Sequence, residues 1–111
     1  MNTYTPRPLK IKAWNTATRL MMRLDHVDCV KGELKKEGYI LLPFTGCYDG
    51  RGDELYDQDV FLLQHQKYKV YWKDYGWFYC TIQGEESKPL AEVSPALIVR
   101  LGNWFEMEGA G

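Results

Sequence analysis

The sequence predicts a mainly β protein, and three observations carry the prediction. Apolar and polar residues alternate with a period that is mostly two rather than 3.6. Clusters of glycine and aspartate separate the alternating runs. Aromatic residues make up 14% and hydrophobic residues 45% of the chain, which gives such strands a large ring content to pack.

The elements follow in order. Leu9, Ile11 and Ala13 alternate with Lys10, Lys12 and Trp14, and a turn over 15–18 leads into Leu20, Met22 and Leu24, which alternate with Arg19, Met21 and Arg23. This predicts an N-terminal hairpin over 9–24. Shorter strands are expected at 27–30 and 39–42, with Lys31-Gly32 as a turn between them. From 43 to 58 no period holds, and Gly46, Gly50 and Gly52 with Asp49 and Asp53 mark a long Gly/Asp-rich structured loop. A strand restarts at 59–63. The clearest hairpin follows: Tyr68, Val70 and Trp72 on one face, a turn at Asp74-Tyr75-Gly76, then Phe78, Cys80 and Ile82 returning on the same face. Those six are the expected core. A polar loop at 84–88, one helical or 3₁₀ turn in 89–94 and a last strand at 97–101 closed by Gly102-Asn103 complete the chain. The tail, 108–111, is expected to fray.

Length and charge exclude several classes. A chain of 111 residues is one small domain. A net charge of -1 and a pI near 6.1 remove the overall basicity that drives sequence-independent nucleic-acid binding. No apolar run approaches the ~20 residues that cross a bilayer, so no membrane association is expected. Cys29, Cys47 and Cys80 are an odd set without a C-x-x-C pair, which argues for buried thiols. The charge is segregated, however. Residues 1–24 carry Arg7, Lys10, Lys12, Arg19 and Arg23 with no acid, whereas 49–59 carries Asp49, Asp53, Glu54, Asp57 and Asp59 against Arg51. Such a split can steer a partner, or let the N-terminal segment of one copy lie against the acidic loop of another.

Several local patterns fall in one order along the chain. Thr45-Gly46-x-x-Asp49-x-x-Gly52-x-x-Leu55-Tyr56-Asp57-x-Asp59-Val60 resembles the signature of YopX-like proteins from phages, prophages and other mobile elements. Upstream, Ile11-Lys12-Ala13-Trp14-Asn15 is similar to that family's N-terminal strand. Downstream, Val70-x-Trp72, Gly76-x-Phe78 and Gly102-Asn103-x-x-Glu106 resemble its later strands and closing segment. The chain departs from the pattern at Cys47, where an aliphatic residue is usual, at Asp57 (Glu), at Gln58 (Gly) and at Met107 (Asn). A non-glycine at 58 implies a turn with negative φ. The resemblance implies a single YopX-like domain over 1–111, an SH3-like barrel or roll with its barrel strands across 59–106, a phage or prophage origin and a cytoplasmic place in the bacterial host cell. It implies no activity.

The loop also has a purely structural reading. Gly46, Gly50 and Gly52 permit positive φ, Asp49 and Asp53 bond nearby backbone N–H groups, Leu55 with Tyr56 plugs the loop onto the barrel, and Asp59 caps the chain where it re-enters the sheet. As a calcium loop starting at Asp49 it fails, since Arg51 and Glu54 stand where a ligand and a glycine are required. Asp25, His26, Asp28 and Cys29 mix ligand types, but on a strand no face carries three of them. Two histidines, unpatterned cysteines, and no nucleophile elbow or phosphate loop argue against an enzyme and against a bound cofactor. Arg51-Gly52-Asp53 reads as turn residues.

The strongest expected surface is the outer face of the 68–82 hairpin. There Lys67, Lys69, Tyr71 and Lys73 would stand beside Trp77 and Tyr79, a basic aromatic face suited to stacking bases and holding phosphates. The alternative is that cross-strand pairs or a second subunit cover the rings. The expected function is therefore binding rather than catalysis. Self-association into a homo-oligomer leads, because Trp14, Trp77, Tyr79 and Trp104 look too many to hide in one small barrel, and nucleic-acid binding is the alternative.

Overall fold

A computed structural model of the protein describes residues 10–24, 28–30, 33–35 and 37–109. The chain is mainly β, built from two curled antiparallel sheets in a barrel or roll arrangement, with a separate short ribbon. The first sheet has the order β2-β1-β5-β6, from β1 (Ile11–Asn15), β2 (Met21–Leu24), β5 (Tyr39–Tyr48) and β6 (Glu54–Tyr56). The ribbon pairs β3 (Asp28–Val30) with β4 (Glu33–Lys35). The second sheet has the order β10-β9-β8-β7-β11, from β7 (Asp59–Leu63), β8 (Gln66–Lys73), β9 (Gly76–Thr81), β10 (Lys88–Pro89) and β11 (Val99–Asn103). Two 3₁₀ turns, Leu90–Glu92 and Pro95–Leu97, precede β11, and a helix α1 (Trp104–Gly109) follows it. No helix among the described residues is long and apolar enough to cross a membrane.

The N-terminal hairpin forms as its alternation requires, with Ile11 opposite Leu24 and Trp14 opposite Met21. Asn15 closes it, its Oδ1 accepting the N–H groups of Ala17 and Thr18. Leu9, Asp25, His26, Val27 and the Lys31-Gly32 turn lie outside the described residues, as do residues 110 and 111 of the expected tail. Within the tail, Glu108 continues α1, an element that the sequence pattern did not announce.

The segment 43–58 is mostly strand rather than loop. β5 runs on to Tyr48, and only 49–53 turns before β6 begins. Its period is hidden by a bulge: Phe44 faces Tyr56 and Tyr48 faces Glu54, so β5 spends extra residues between the two pairs. Gly46, with φ 87°, sits inside the bulge. There the Thr45 hydroxyl donates to the Leu55 carbonyl at 2.8 Å and accepts the Cys47 N–H at 3.0 Å, standing in for ladder bonds.

The 68–82 hairpin differs from expectation in its parity. Its loop is two residues long, Asp74-Tyr75 with φ 49° and 63°, and Lys73 pairs with Gly76. This is the left-handed geometry of a tight hairpin turn, made without glycine at either position. Val70 consequently faces Tyr79 and Trp72 faces Trp77, where a three-residue loop would have set Val70 against Cys80. A slip of one residue turns every side chain of β9 over. The core on this face is Leu55, Phe61, Val70, Tyr79, Leu90 and Ile98, with Tyr68 and Trp77 packed at its edge. Of the six expected core residues, Trp72 is 53% exposed. Phe78 and Ile82 are half-buried. Cys80 is buried on the opposite face, across from Lys69. The preceding turn repeats the device, with Gln64 and His65 at φ 51° and 68°.

These turn residues hold a conformation that costs an L-residue roughly 1–2 kcal/mol each. Replacing Asp74-Tyr75 by Asn-Gly is expected to raise stability by about 1 kcal/mol in chemical denaturation. A loss of stability on that exchange would instead argue for the three-residue loop.

Candidate functional site

Two features of the structure could be functional: the acid-rich segment 49–59 and an apolar groove beside it. The acids divide by what they bond. Asp49 is buried, and its carboxylate accepts the backbone N–H groups of Arg51 (2.9 Å), Asp53 (2.8 Å) and Arg100 (2.8 Å). Burial alone would push this carboxyl up, but the three donors outweigh it and hold it below its ordinary value of 3.8. The turn it stabilises brings Gly50 against the 3₁₀ turn Pro95–Leu97 and Ile98, just ahead of β11, where the Gly50 N–H donates to the Ile98 carbonyl at 2.8 Å. A Cβ at Gly50 would meet the Ala96 carbonyl oxygen at 2.7 Å, so the close approach admits only glycine. Gly52, at φ 87°, lies in the same turn.

Asp59 is fully buried. It accepts the Arg100 Nε at 2.8 Å and Nη2 at 3.3 Å, the Asn103 Nδ2 at 3.0 Å and the Tyr56 backbone N–H at 2.8 Å. Burial opposes the charge on Arg100, yet the bonds from Asp59 prevail and raise its pKa. The same Asn103 Nδ2 also donates to the Asp57 carbonyl, and its Oδ1 accepts the Phe105 N–H at the start of α1. Asp49 and Asp59 therefore have their oxygens committed to N–H donors, which is a structural use. Tyr56 is buried too, with the Lys12 ammonium 4.4 Å above its ring.

The segregated charges meet within one chain. Lys10 and Arg23, from the basic N-terminal stretch, both pair with Glu54. The Lys10 hydrogen bond, ahead of burial, holds the Glu54 carboxyl below its ordinary 4.5. Arg51 lies 3.8 Å from Asp49 and 3.7 Å from Asp53. The rings are likewise accommodated internally. Trp14 is 4% exposed and stacks on Phe105, Tyr79 is buried in the core, and Trp77 and Trp104 are half-buried, the latter under the Lys69 ammonium at 4.9 Å. The surplus of exposed rings that favoured an oligomer is absent among these four.

The expected basic aromatic face is split by the register. Lys67, Lys69, Tyr71 and Lys73 share a face with Phe78 and Cys80, whereas Trp77 and Tyr79 lie on the other. Lys67 and Lys73 are exposed, and Tyr71 is hydrogen-bonded to Ser87.

What the register does assemble is the groove. Trp72 and Trp77, edge to face with ring centroids 5.0 Å apart, stand opposite Ile11, Leu41 and Pro43 of the first sheet around a cavity of about 430 Å³. Asp57 closes one side. It is placed there by a tight turn in which Gln58 has φ 68°, not the negative value that a non-glycine led us to expect. The strain is supported from both sides: Gln58 N–H donates to the Val70 carbonyl at 2.9 Å, and its own carbonyl accepts the Trp104 N–H at 2.7 Å. The Asp57 N–H donates to the Pro43 carbonyl at 2.9 Å, and its carboxylate accepts the Gln58 side-chain amide at 3.2 Å. Burial pushes the Asp57 carboxyl above its ordinary value.

No family model and no curated protein matches the chain. Among solved structures it is similar to the crystal structure of protein EF1440 from Enterococcus faecalis, with a TM-score of 0.65 at 13% identity, over 93% of this chain and 97% of that one. The likeness is one of fold.

Asp49 and Glu54 give the fold a defined acid limb. Both bind protons less tightly when folded, so their stabilisation is complete above about pH 5 and is lost as pH falls through 4 and below. Asp49→Asn is expected to lower the urea midpoint at pH 7, with the gap from the parent closing toward pH 3. A gap of constant size across that range would show that the Asp49 charge plays no part.

Proposed function

We propose that this protein works by binding rather than by catalysis, and that the groove between its two sheets is the contact surface. The observation that carries the reading is Trp72, which stays 53% exposed at the end of the core face while its neighbours on that face pack inward. An indole left at the mouth of an apolar groove is a surface that gains from being covered. A single carboxyl beside apolar walls is the kind of lining that orients a ligand. The YopX-like patterns, in their order along the chain, support a phage or prophage source, and they add no activity to the reading.

A neutral apolar fluorophore, N-phenyl-1-naphthylamine, tests the groove directly. Trp72→Ala is expected to weaken its binding about tenfold, by removing one aromatic wall. The same variant should still fold cooperatively, at a cost of about 1–2 kcal/mol, because about half of the ring is already in water and the loss is that of its contact with Trp77. Equal binding by parent and variant would place the contact surface elsewhere.

A further inference from the structure

Resting on that reading of the groove, we infer that its occupant is an arginine side chain displayed by a partner protein, stacked on Trp72 and Trp77 with its guanidinium turned to Asp57. The first argument is charge complementarity. Among the described residues, every other acid of the 49–59 segment has a cation within 4.0 Å: Arg51 serves Asp49 and Asp53, Lys10 and Arg23 serve Glu54, and Arg100 serves Asp59. Asp57 has none: its carboxylate bonds the neutral side-chain amide of Gln58, and the Gln58 backbone N–H and the charge of Lys69 act on it without forming an ion pair within 4.0 Å. The nearby charges are already engaged. Lys69 is drawn to the Trp104 ring at 4.9 Å, and Asp59 is matched by Arg100.

The second argument is the wall beside it. Two indoles at an interplanar angle of 71° offer one ring face and one edge to whatever enters. A guanidinium is planar, weakly hydrated, stacks on aromatic faces and presents a fork of N–H donors to a carboxylate, whereas an ammonium does only part of this. Its three-carbon stem suits the apolar lining of Ile11, Leu41 and Pro43. Burial already disfavours the Asp57 charge, so an incoming cation relieves an existing cost rather than breaking an existing pair. The cavity exceeds what one side chain fills, which leaves room for the residues flanking the arginine.

The test follows the indole N–H signals of Trp72 and Trp77 by NMR, at fixed ionic strength, during titration with blocked Gly-Arg-Gly. Blocked Gly-citrulline-Gly, equal in shape and uncharged, and blocked Gly-Leu-Gly serve as comparisons. The arginine peptide is expected to move both indoles and to bind about tenfold more tightly than the citrulline peptide. Asp57→Asn, which leaves the Gln58 bond an acceptor, should reduce that ratio to near one. Indoles that respond equally to arginine and citrulline, or a ratio unchanged in Asp57→Asn, would overturn the arginine assignment while leaving the groove as a contact surface. Indoles that respond to none of the three peptides would overturn both.

Discussion

One buried carboxylate organises this molecule. Asp59 is fully enclosed and accepts hydrogen bonds from the Arg100 guanidinium, the Asn103 amide and the Tyr56 backbone. A lone charge in that position would be very costly, and the surrounding donors are what make it tolerable. The network spans four elements: it ties the end of β6 to the start of β7, pins β11 alongside, and through Asn103 starts α1. Asp49 adds a second clamp on Arg100 by accepting its backbone N–H. The turn 57–58, held between these anchors, is what sets Asp57 beside the two indoles. The acidic side of the groove thus depends on the charge network, while its indole wall is set by the β8–β9 register.

The class of fold was legible in the sequence because period-two alternation survives in β1, β2 and β8, and because glycine and aspartate cluster at 49–53. The face of β9 was not. Two-residue loops normally announce themselves with Asn-Gly or Asp-Gly. Here Asp74-Tyr75 takes the left-handed pair of conformations without glycine, and Gly76, read as part of the loop, already belongs to β9. That single residue decided which rings are core and which are surface. The bulge at Gly46 hid β5 by another route, since four steps from Phe44 to Tyr48 match only two on β6 and the alternation is interrupted between the two pairs.

Residue roles in the acidic segment were partly legible. Asp49 bonds the backbone N–H groups of its own turn and Asp59 caps the return to the sheet, as their positions next to glycines and a strand start indicated. The long-range partners, Arg100 and Asn103, carry no local signal, because their sequence separation from Asp59 is spanned by a whole sheet. Gln58 had a signal that pointed the other way: a non-glycine residue implied a negative φ, whereas the glutamine holds φ 68°. The pairing of Trp72 with Trp77 depends on register alone, so the groove could not precede knowledge of the turn.

Asp59, fully enclosed, and the partly exposed Arg100 form one ion-paired unit on which the rest of the structure is hung. A double-mutant cycle in chemical denaturation with Asp59→Asn and Arg100→Met tests it most directly. Arg100→Met is expected to cost about 3–5 kcal/mol, since it strands the enclosed carboxylate, Asp59→Asn less because the Arg100 side chain is partly exposed, and the double variant little more than Arg100→Met alone. Small and strictly additive losses would contradict the account.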